Sequence, residues 1–514
     1  MNLNNTILIL DFGSQYNQLI ARCVRENNVF CLVVPPNTAI SEIKKIAPKG
    51  IILSGGPLSV YEKNAPGLNP EIYSLGIPIL GICYGMQLLA KGLKGSVGST
   101  RKREYGGSIL TIDDKSDLFA GLPRKMVSWM SHGDYVKRMP KGFKKIAHTN
   151  NTRIAAFKDS KKKIFGVQFH PEVHHTQNGT KIISNFLFNI AGCKRTWTIR
   201  SFIEQSVENI RKEVKEEKVI LGLSGGVDSS VAALLLHKAI KRKLVCIFVD
   251  NGLLRKGEAL RVEKLFRKHY KMNLKVVKAK KLFLQKLKGV INPEKKRKII
   301  GRTFIKVFEK EAKKLGQVSF LAQGTLYPDL IESRSAFGGP SAIIKTHHNV
   351  GGLPKKMGLR LIEPLKYLFK DEVRELGKKM NMPDELVWRQ PFPGPGLAVR
   401  IIGEVTEERL SILKNADWII VDEAKKHKLY YKTWQCFGVL LPIKTVGIMG
   451  DQRTYENVVA IRAVTSRDGM TADWAKLPYA FLEKVSNKIV NEVKGVNRVV
   501  YDTSSKPPAT IEWE

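Results

Sequence analysis

The sequence predicts an α/β protein with two doubly wound parallel-sheet domains followed by a smaller α+β domain. The chain has 514 residues, which is too long for a single hydrophobic core. Up to residue 390, short apolar runs typical of buried strands alternate with helical patterns. A polar interruption at residues 191–198 and a proline-rich segment at residues 391–397 divide this pattern. We therefore predict domains at residues 1–193, 194–390 and 391–514.

The chain carries a net charge of +39, which suggests nucleic acid as a partner. However, the lysines are dispersed in short runs, such as those at residues 161–163 and 295–298, without the interleaved aromatic residues of a single-strand binding surface. No recognisable DNA- or RNA-binding motif accompanies them. We therefore expect solvated lysine surfaces with a few sites for anionic ligands, and no nucleic-acid partner.

The six cysteines are scattered without CxxC spacing, so they indicate neither a disulfide framework nor a zinc site. No segment has the long uncharged apolar run of a membrane helix. Residues 1–6 lack the basic region of a signal peptide. These features predict a protein of the reducing cytoplasm with no membrane partner.

The first domain opens with apolar strands at residues 7–10, 29–34 and 50–54, whose carboxyl ends are the expected ligand-binding edge. A further strand, at residues 77–82, runs into Gly-x-Cys-x-Gly and then a helix. This is the layout of a nucleophile elbow with Cys83 in place of serine. The helix N-terminus favours the nucleophilic thiolate. Without further partners, Cys83 would more simply be a core cysteine.

Other strand ends supply partners for this cysteine. The strand at residues 164–169 leads to His170, and Glu172 follows two residues later. His170 could take the thiol proton and later return it to the leaving group, with Glu172 fixing the tautomer of the ring. The alternative is a surface histidine after a strand. At the turn that follows residues 50–54, the N–H group of Gly56, together with that of Tyr84, is our candidate for an oxyanion hole.

These segments resemble class I glutamine amidotransferases, which hydrolyse glutamine to glutamate and ammonia through a thioester. The resemblance is carried by Gly-Ile-Cys-Tyr-Gly-Met-Gln at residues 81–87, Gln-Phe-His-Pro-Glu at residues 168–172 and Ser-Gly-Gly-Pro at residues 54–57. It implies the catalytic triad Cys83, His170 and Glu172. It also implies that Gln87 and the turn at residues 131–134 lie near the glutamine pocket.

The second domain begins with an amphipathic helix at residues 199–214, and an unbroken apolar strand starts at Val219. The turn that follows this strand leads directly into a helix and consists of Ser224, Gly225, Gly226, Val227, Asp228, Ser229 and Ser230. Such a corner directs backbone N–H groups and a helix dipole toward one point, which suits a phosphate group. No Gly-Lys-Ser/Thr follows at P-loop spacing, which disfavours ordinary γ-phosphoryl transfer. The alternative is a tight turn without a ligand.

This turn resembles the pyrophosphatase loop of enzymes that adenylylate a substrate oxygen with ATP. The next strand, at residues 244–250, ends in a polar turn, and we expect its backbone at Val249 to meet the adenine or ribose of ATP. The alternative is a plain strand-to-helix turn without a ligand. Small residues around Lys345 suggest a mobile lid that brings this cation to the phosphates. His347 and His348 would point apart on a strand, so we reject a metal site there.

The whole chain resembles the family of glutamine-hydrolysing GMP synthetases. The matching segments of its second domain lie at residues 224–230, 249–255, 323–329 and 345–354. The resemblance implies that ATP adenylylates XMP with release of pyrophosphate, and that ammonia from the first domain then displaces AMP to give GMP. Mg²⁺ and the loop amides would neutralise the departing pyrophosphate, with Asp228 as the candidate contact of the metal.

The C-terminal domain is predicted to be a small mixed sheet with strands at residues 418–423, 437–443 and 458–464 and a helix at residues 479–493. Terminal residues usually fray, but the rigid Pro507-Pro508 pair suggests that the tail docks.

The same resemblance implies that this domain forms a homodimer. It also implies that the tail binds XMP through Lys506, Ile511 and Glu512, with Arg389 as a further candidate. Gln390 stands where the family usually has histidine, so a role of that histidine does not carry over.

Two rival functions remain open at this point. Another amidating adenylyl-ligase, such as an NAD synthetase or a tRNA-modifying enzyme, would share the loop. The former usually carries a different glutaminase, and the latter would need a nucleic-acid-binding appendage. A nucleic-acid-binding protein that uses the charge of +39 would instead bind with a steep salt dependence.

Overall fold

The computed structural model describes residues 5–334, 358–449, 451–466 and 469–514. Lys345 and the predicted lid around it lie outside the described residues. The chain divides into two compact units. Unit 1 contains the described residues up to Gln205 together with Tyr327–Arg334, and unit 2 contains the other described residues.

Unit 1 is built on nine strands. Strands β1 to β9 span Thr6–Leu10, Phe30–Val34, Gly50–Leu53, Ile79–Ile82, Ser96–Ile112, Lys125–Arg138, Lys144–His148, Ala156–Asp159 and Ile164–Val167. They form one sheet in the order β2-β1-β3-β4-β9-β8-β7-β5-β6. The strands from β2 to β9 in this order are parallel, whereas β8, β7, β5 and β6 extend the sheet in antiparallel fashion. The predicted doubly wound part is confirmed, and the antiparallel extension is an addition that we did not predict.

The helices of this region connect and flank the strands. Helices α1 to α4 span Asn17–Glu26, Ile40–Ile46, Tyr84–Gly92 and Gly179–Asn185, and α5 (Ile199–Val214) begins in unit 1 and ends in unit 2. Every residue of β1, β3, β4 and β9 is buried, which explains why these strands are continuous apolar runs. Because β3, β4 and β9 are neighbours, their carboxyl ends place Ser54, Cys83 and Gln168 side by side.

Unit 2 contains a five-stranded parallel sheet. Strands β10 to β14 span Val219–Gly222, Leu244–Asp250, Asn273–Lys278, Phe320–Ala322 and Arg360–Ile362. Their order is β12-β11-β10-β13-β14, so the chain moves outward from β10 in one direction and then returns to its other side. The switch point therefore lies between β10 and β13, where ligands of such sheets bind. The loop at residues 224–230 follows β10 and lies at this point.

The remaining helices are α6 to α14. They span Val227–Ile240, Glu258–Glu263, Lys280–Leu287, Pro293–Lys313, Tyr327–Arg334, Lys370–Lys379, Asp384–Val387, Glu407–Lys426 and Tyr479–Glu492. Of these, α10 (Tyr327–Arg334) belongs to unit 1.

The C-terminal part carries a second sheet, formed by β15 to β18 at Gln435–Met449, Gln452–Thr465, Asp473–Trp474 and Val496–Asp502. Strand β16 pairs with β15 and β17 in antiparallel and with β18 in parallel fashion. The predicted α+β class is confirmed, but the strand predicted at residues 418–423 is wrong. These residues lie within α13 (Glu407–Lys426), whose buried residues recur at helical spacing. A short apolar run does not distinguish a strand from a buried helix.

One hydrophobic core runs through unit 2. It contains Ile220 and Val249 from the parallel sheet together with Leu413 and Ile461 from the C-terminal part. The two parts are thus held together by shared apolar burial, the dominant stabilising term in folding. Within the described part of the chain, no helix has the length and apolar character needed to cross a membrane.

Candidate active sites

Cys83 occupies a strained corner between β4 and α3. Its φ of 51° and ψ of −105° are unfavourable for a residue with a side chain, and such strain is typical of functional turns. Its backbone N–H donates to the carbonyl of Val167 at 2.8 Å, which ties the corner to β9. A Cβ at Gly85 would lie only 2.4 Å from the carbonyl oxygen of Leu53, so glycine is required beside the corner. This is the predicted elbow geometry.

His170 and Glu172 meet directly at the end of β9. Nδ1 of His170 lies 2.7 Å from Oε1 of Glu172, and both residues are buried. Cys83 lies close enough to His170 to interact with its ring electrostatically and raise its pKa. The carbonyl of His170 accepts a 2.6 Å hydrogen bond from the hydroxyl of Thr176, which fixes the main chain beneath the ring. The three residues predicted as a triad are therefore in contact in the expected order.

The electrostatics of this cluster favour a charged ring. Burial lowers the pKa of His170, but the charges of Glu172 and Cys83 outweigh it and hold the pKa well above its usual range. An imidazolium next to a thiol favours the thiolate, which is the nucleophilic form. In the described part of the chain, Oε2 of Glu172 has no hydrogen-bond partner, so His170 is the principal partner of this carboxylate.

The predicted oxyanion donors lie close to this cluster. A Cβ at Gly55 would lie 3.1 Å from Cε1 of His170, and one at Gly56 would lie 3.1 Å from Cγ of Tyr84. The turn is held by Ser54, whose hydroxyl accepts from the N–H of Phe12 at 3.0 Å. Among the described residues, the N–H groups of Gly56 and Tyr84 have no protein acceptor, so they remain available as donors.

Gln87 connects the helix after the elbow to the turn at residues 131–134. Its Nε2 donates to the carbonyl of Asp134 at 2.9 Å, while Sγ of Cys83 donates to the carbonyl of Ser131 at 3.8 Å. Gln168, for which we predicted no role, donates from Nε2 to Sγ of Cys83 at 3.7 Å. Gln168 belongs to the motif around His170, and this position in the sequence could have indicated that it lies near Cys83.

The loop between β10 and α6 is internally braced. The hydroxyl of Ser224 lies 2.8 Å from that of Ser229, and it accepts from the N–H of Gly226 at 3.2 Å. The hydroxyl of Ser230 donates to the carbonyl of Gly226 at 2.7 Å. Gly225 adopts a φ of +76°, which requires glycine. The side chains therefore fix the shape of the corner, and they accept hydrogen bonds from the N–H groups of Ser224 and Gly226. Val249, the other predicted ATP contact, is buried near the carboxyl end of β11.

Asp228, the predicted contact of Mg²⁺, is paired with a cation. Nζ of Lys370 lies 2.6 Å from both carboxylate oxygens. The described residues contain no group of three or more metal-binding side chains. Mg²⁺ is commonly held by one or two carboxylates and the phosphates of a substrate, so a single partly exposed aspartate at a loop predicted to bind phosphate fits this metal. We did not predict a role for Lys370, although a cation in the first turn of a helix is disfavoured by the helix dipole and is a usable signal.

Arg389 contacts the loop at residues 224–230. Its Nη1 donates to the carbonyl of Gly225 at 2.7 Å, and its Nη2 pairs with the buried carboxylate of Glu258. The predicted XMP contact is thus placed against the predicted ATP loop. Gln390 beside it is buried, donates to the carbonyl of Tyr430 at 2.7 Å and accepts from the N–H of Cys436 at 2.9 Å. At this position the glutamine is a structural link.

The C-terminal tail is docked, as predicted. The carboxylate of Glu512 accepts two hydrogen bonds from Arg400, and Ile511 packs against the cluster around Phe437. Nζ of Lys506 donates to the carbonyl of Gly469 at 2.8 Å. The buried Arg462 donates to several main-chain carbonyls of the tail. The three predicted XMP contacts therefore lie on an ordered segment.

Three family models match separate parts of the chain. They are described as glutamine amidotransferase class-I for residues 8–190, NAD synthase for residues 198–298 and GMP synthase C terminal domain for residues 422–513. Glutamine-hydrolysing GMP synthases from Clostridium botulinum and Carboxydothermus hydrogenoformans are 58% identical to the chain over 508 residues. Each alignment covers 99% of both chains. The chain belongs to the glutamine-hydrolysing GMP synthase family.

A glutamine-hydrolysing GMP synthase from Brachyspira hyodysenteriae shows the same 58% identity and 99% coverage. Among solved structures, a putative GMP synthase subunit from Thermoplasma acidophilum is 29% identical, with a TM-score of 0.32, and covers 36% of this chain and 93% of its own. A glutamine amidotransferase from Thermotoga maritima is 20% identical, with a TM-score of 0.28, and covers 47% of this chain and 92% of its own. Membership of the GMP synthase family rests on the full-length relatives. The match to the NAD synthase model is confined to residues 198–298, which include the loop at residues 224–230.

Proposed function

We propose that this chain aminates XMP to GMP with ATP and glutamine, using one site in each unit. The observation that carries the proposal is the 58% identity to glutamine-hydrolysing GMP synthases over 99% of both chains. The contact between His170 and Glu172 beside Cys83 supports the glutaminase half. The braced loop at the switch point of the parallel sheet supports the ATP-dependent half.

In unit 1, Sγ of Cys83 attacks the carboxamide carbon of glutamine. The N–H groups of Gly56 and Tyr84 hold the tetrahedral oxyanion. His170 donates its proton to the departing ammonia, which leaves a thioester on Cys83. His170 then takes a proton from water as the water attacks the thioester, and glutamate is released. Glu172 keeps the ring of His170 oriented through both steps.

In unit 2, the xanthine oxygen of XMP attacks the α-phosphate of ATP, and pyrophosphate departs. The backbone of residues 224–230 and the N-terminus of α6 accept the negative charge of the leaving group. When bound, Mg²⁺ supplies further positive charge to the phosphate oxygens, and Asp228 is the residue that would contact it. Ammonia then attacks the adenylylated carbon, AMP leaves and GMP is formed. Val249 would meet the nucleoside of ATP, and Lys345 would approach its phosphates.

XMP binds at the docked C-terminal tail in this proposal. Lys506 and Glu512 supply one charge of each sign, and Ile511 supplies an apolar contact. Arg389 contacts both Gly225 and Glu258, so its contribution to XMP binding is exerted from the side of the ATP loop.

The protein is further proposed to be a cytoplasmic homodimer without a nucleic-acid partner. The distal part of the β15–β16 hairpin exposes Ile443, Val446, Ile448 and Tyr455, an apolar set that a second copy would cover. The six cysteines all lie in the described part of the chain, are buried and form no disulfide there, which agrees with a reducing compartment. Sedimentation analysis tests the dimer, and a salt titration with duplex and single-stranded nucleic acid tests the absence of that partner.

A paired assay tests the function. We expect release of pyrophosphate and AMP from ATP to require XMP, and Cys83→Ala to retain GMP synthesis with ammonium while losing synthesis with glutamine. Cys193→Ala, which changes another buried free cysteine of unit 1, is the matched control and should retain both activities. If Cys83→Ala still makes GMP from glutamine, Cys83 is not the nucleophile. If the unaltered protein forms no AMP from ATP and XMP in concentrated ammonia, the overall reaction is wrong.

A further inference from the structure

A second buried pair of a histidine and a carboxylate lies in unit 1, apart from the triad. Glu104 on β5 and His132 on β6 are directly opposite each other in the antiparallel register. Oε2 of Glu104 and Nε2 of His132 are 3.4 Å apart, and each side chain is only 3% exposed. The proposed mechanism uses neither residue. Burying ionisable groups is costly because charge must be removed from water, so the burial of this pair calls for an explanation in terms of its role.

The carboxylate of Glu104 is held from several sides. It accepts hydrogen bonds from the hydroxyl of Thr149 at 2.9 Å and from that of Thr152 at 2.6 Å. Ser108 adds a longer contact of 3.3 Å. Burial raises the pKa of Glu104, but the interactions with His132 and the two threonines outweigh it and lower the pKa to about 2. The group is therefore a fixed negative charge beneath His132.

His132 connects the fixed carboxylate of Glu104 to the turn at residues 131–134. Its Nδ1 lies 3.0 Å from the carbonyl oxygen of Asp134, which is only an acceptor, so Nδ1 carries the proton. The ring thus lies between the carboxylate of Glu104, which Nε2 approaches to 3.4 Å without a hydrogen bond, and the main chain of Asp134, to which Nδ1 is bonded. A histidine in this position fixes where that carbonyl points.

The carbonyl groups of this turn face the catalytic elbow. The carbonyl of Asp134 also accepts from Nε2 of Gln87, and the carbonyl of Ser131 accepts from Sγ of Cys83. His132 lies between these two carbonyl groups in the chain. Any shift of its ring would move both contacts, and a displacement of about 1 Å at such a site costs catalysis heavily.

We infer that Glu104 and His132 are positioning residues that hold the turn at residues 131–134 in the geometry that binds glutamine beside Cys83. This inference rests on the proposed glutaminase function and adds the residues that set its substrate affinity. It assigns the pair to glutamine binding, so the ATP-dependent site of unit 2 should not depend on it.

The test measures glutamine binding separately from catalysis. In a Cys83→Ala background, calorimetric titration with glutamine should give a dissociation constant about tenfold higher after Glu104→Gln or His132→Asn. His132→Asn keeps an amide donor for Asp134 and removes only the group that faces Glu104. The double variant should resemble the single ones, because the two residues act as one unit.

Asp113→Asn is the matched control. Asp113 pairs with His148 at 3.0 Å in the same unit, but both side chains are partly exposed. This substitution should leave glutamine affinity unchanged. Thr152→Val is a milder probe, since it removes one hydrogen bond to Glu104 and leaves both Glu104 and His132 in place, and it should weaken binding less.

Kinetics supply the second readout. With Cys83 present, Glu104→Gln should raise the KM for glutamine about tenfold, while ammonia-dependent GMP synthesis keeps its rate. A role confined to folding would lower kcat in proportion to the active fraction and leave KM unchanged. If neither Glu104→Gln nor His132→Asn changes the glutamine affinity, the positioning role of the pair is wrong, while the proposed glutaminase function still stands. A Cys83→Ala parent that binds no glutamine would contradict the proposed glutaminase site itself.

Discussion

Arg400 donates two hydrogen bonds to the carboxylate of Glu512, from Nε at 2.9 Å and from Nη2 at 2.8 Å. The guanidinium is completely buried and also lies 3.7 Å from the ring centroid of Phe437. Such a bidentate pair is geometrically specific as well as strong. The tail residue proposed to contact XMP is thus oriented by the protein before a ligand arrives.

Glu512→Ala should therefore weaken both the fold and nucleotide binding. It removes both carboxylate hydrogen bonds of the buried Arg400 and leaves Asp417, 4.0 Å from Nη1, as its remaining acidic partner, so we expect the free energy of unfolding of unit 2 to fall by about 3 kcal/mol. The KM for XMP should rise, as measured by AMP release at saturating ammonium. Glu483→Ala, which removes an exposed carboxylate of α14, should change neither quantity. An unchanged KM for XMP in a folded Glu512→Ala protein would exclude the proposed tail contact.

Glu172→Gln should change the pH dependence of glutamine hydrolysis. The negative charge of Glu172 helps to keep the pKa of His170 raised, so its removal lowers that pKa and the ring loses its proton at lower pH. The alkaline limit of the pH–rate profile should move down, and the rate should fall about 100-fold. Ammonia-dependent synthesis by the same variant is the control. An unshifted alkaline limit would argue against His170 as the group that titrates there.

The raised pKa of His170 also links stability to pH. A histidine with a folded pKa above its unfolded value near 6.5 stabilises the fold fully below that value. The contribution is lost as the pH rises through the folded pKa. Relative to Glu172→Gln, the unaltered protein should therefore lose more stability as the pH is raised from 6.5, measured by urea unfolding of unit 1. Parallel pH dependence of the two proteins would contradict this linkage.

Gly225→Ala should weaken ATP binding at the loop at residues 224–230 as well as lower stability through its left-handed backbone. Gly225 has a φ of +76°, and an added Cβ would lie 2.9 Å from Cγ2 of Val262. Gly316 has a φ of +72° with open space around it, so Gly316→Ala is the matched control. Both changes should cost about 1 kcal/mol of stability through the left-handed backbone. Only Gly225→Ala should raise the KM for ATP, measured by pyrophosphate release. An equal KM for ATP in the two variants would contradict ATP binding by the loop at residues 224–230.

Asp228→Asn should raise the Mg²⁺ concentration needed for half-maximal AMP formation. The amide removes the one carboxylate that the loop offers to the metal, and it releases Lys370 from its ion pair. Asp473→Asn breaks a similar pair with Lys476 on an exposed surface and serves as the control, with no expected effect. If the Mg²⁺ requirement of Asp228→Asn equals that of the control, Asp228 does not contact the metal.

Local signals made the strands and catalytic corners predictable. The runs that became β1, β4 and β10 are buried on both faces, so they are continuously apolar and unambiguous. The elbow at Cys83 also follows from neighbouring residues, because its flanking glycines are needed within the same turn. Features set by a few consecutive residues were thus accessible to sequence reasoning.

Long-range partners were not accessible in this way. Lys370 and Asp228 are 142 residues apart, and Glu104 reaches His132 only through the register of β5 and β6. Arg389 was predicted as a candidate XMP contact from the family resemblance, but its hydrogen bond to Gly225, 164 residues away in sequence, was not predicted. A charged residue in the sequence does not reveal its partner, because chain topology decides which charges meet.

The cysteines of this chain differ sharply in their chemical environment. Burial raises the pKa of Cys23, Cys246 and Cys436 to about 12, and that of Cys193 to about 11. Cys83 alone adjoins an imidazolium at a ligand-binding sheet edge. A glutamine-shaped electrophile should therefore label the folded enzyme at a single position. No cysteine-free background is then needed to attach a spectroscopic reporter beside the glutaminase centre.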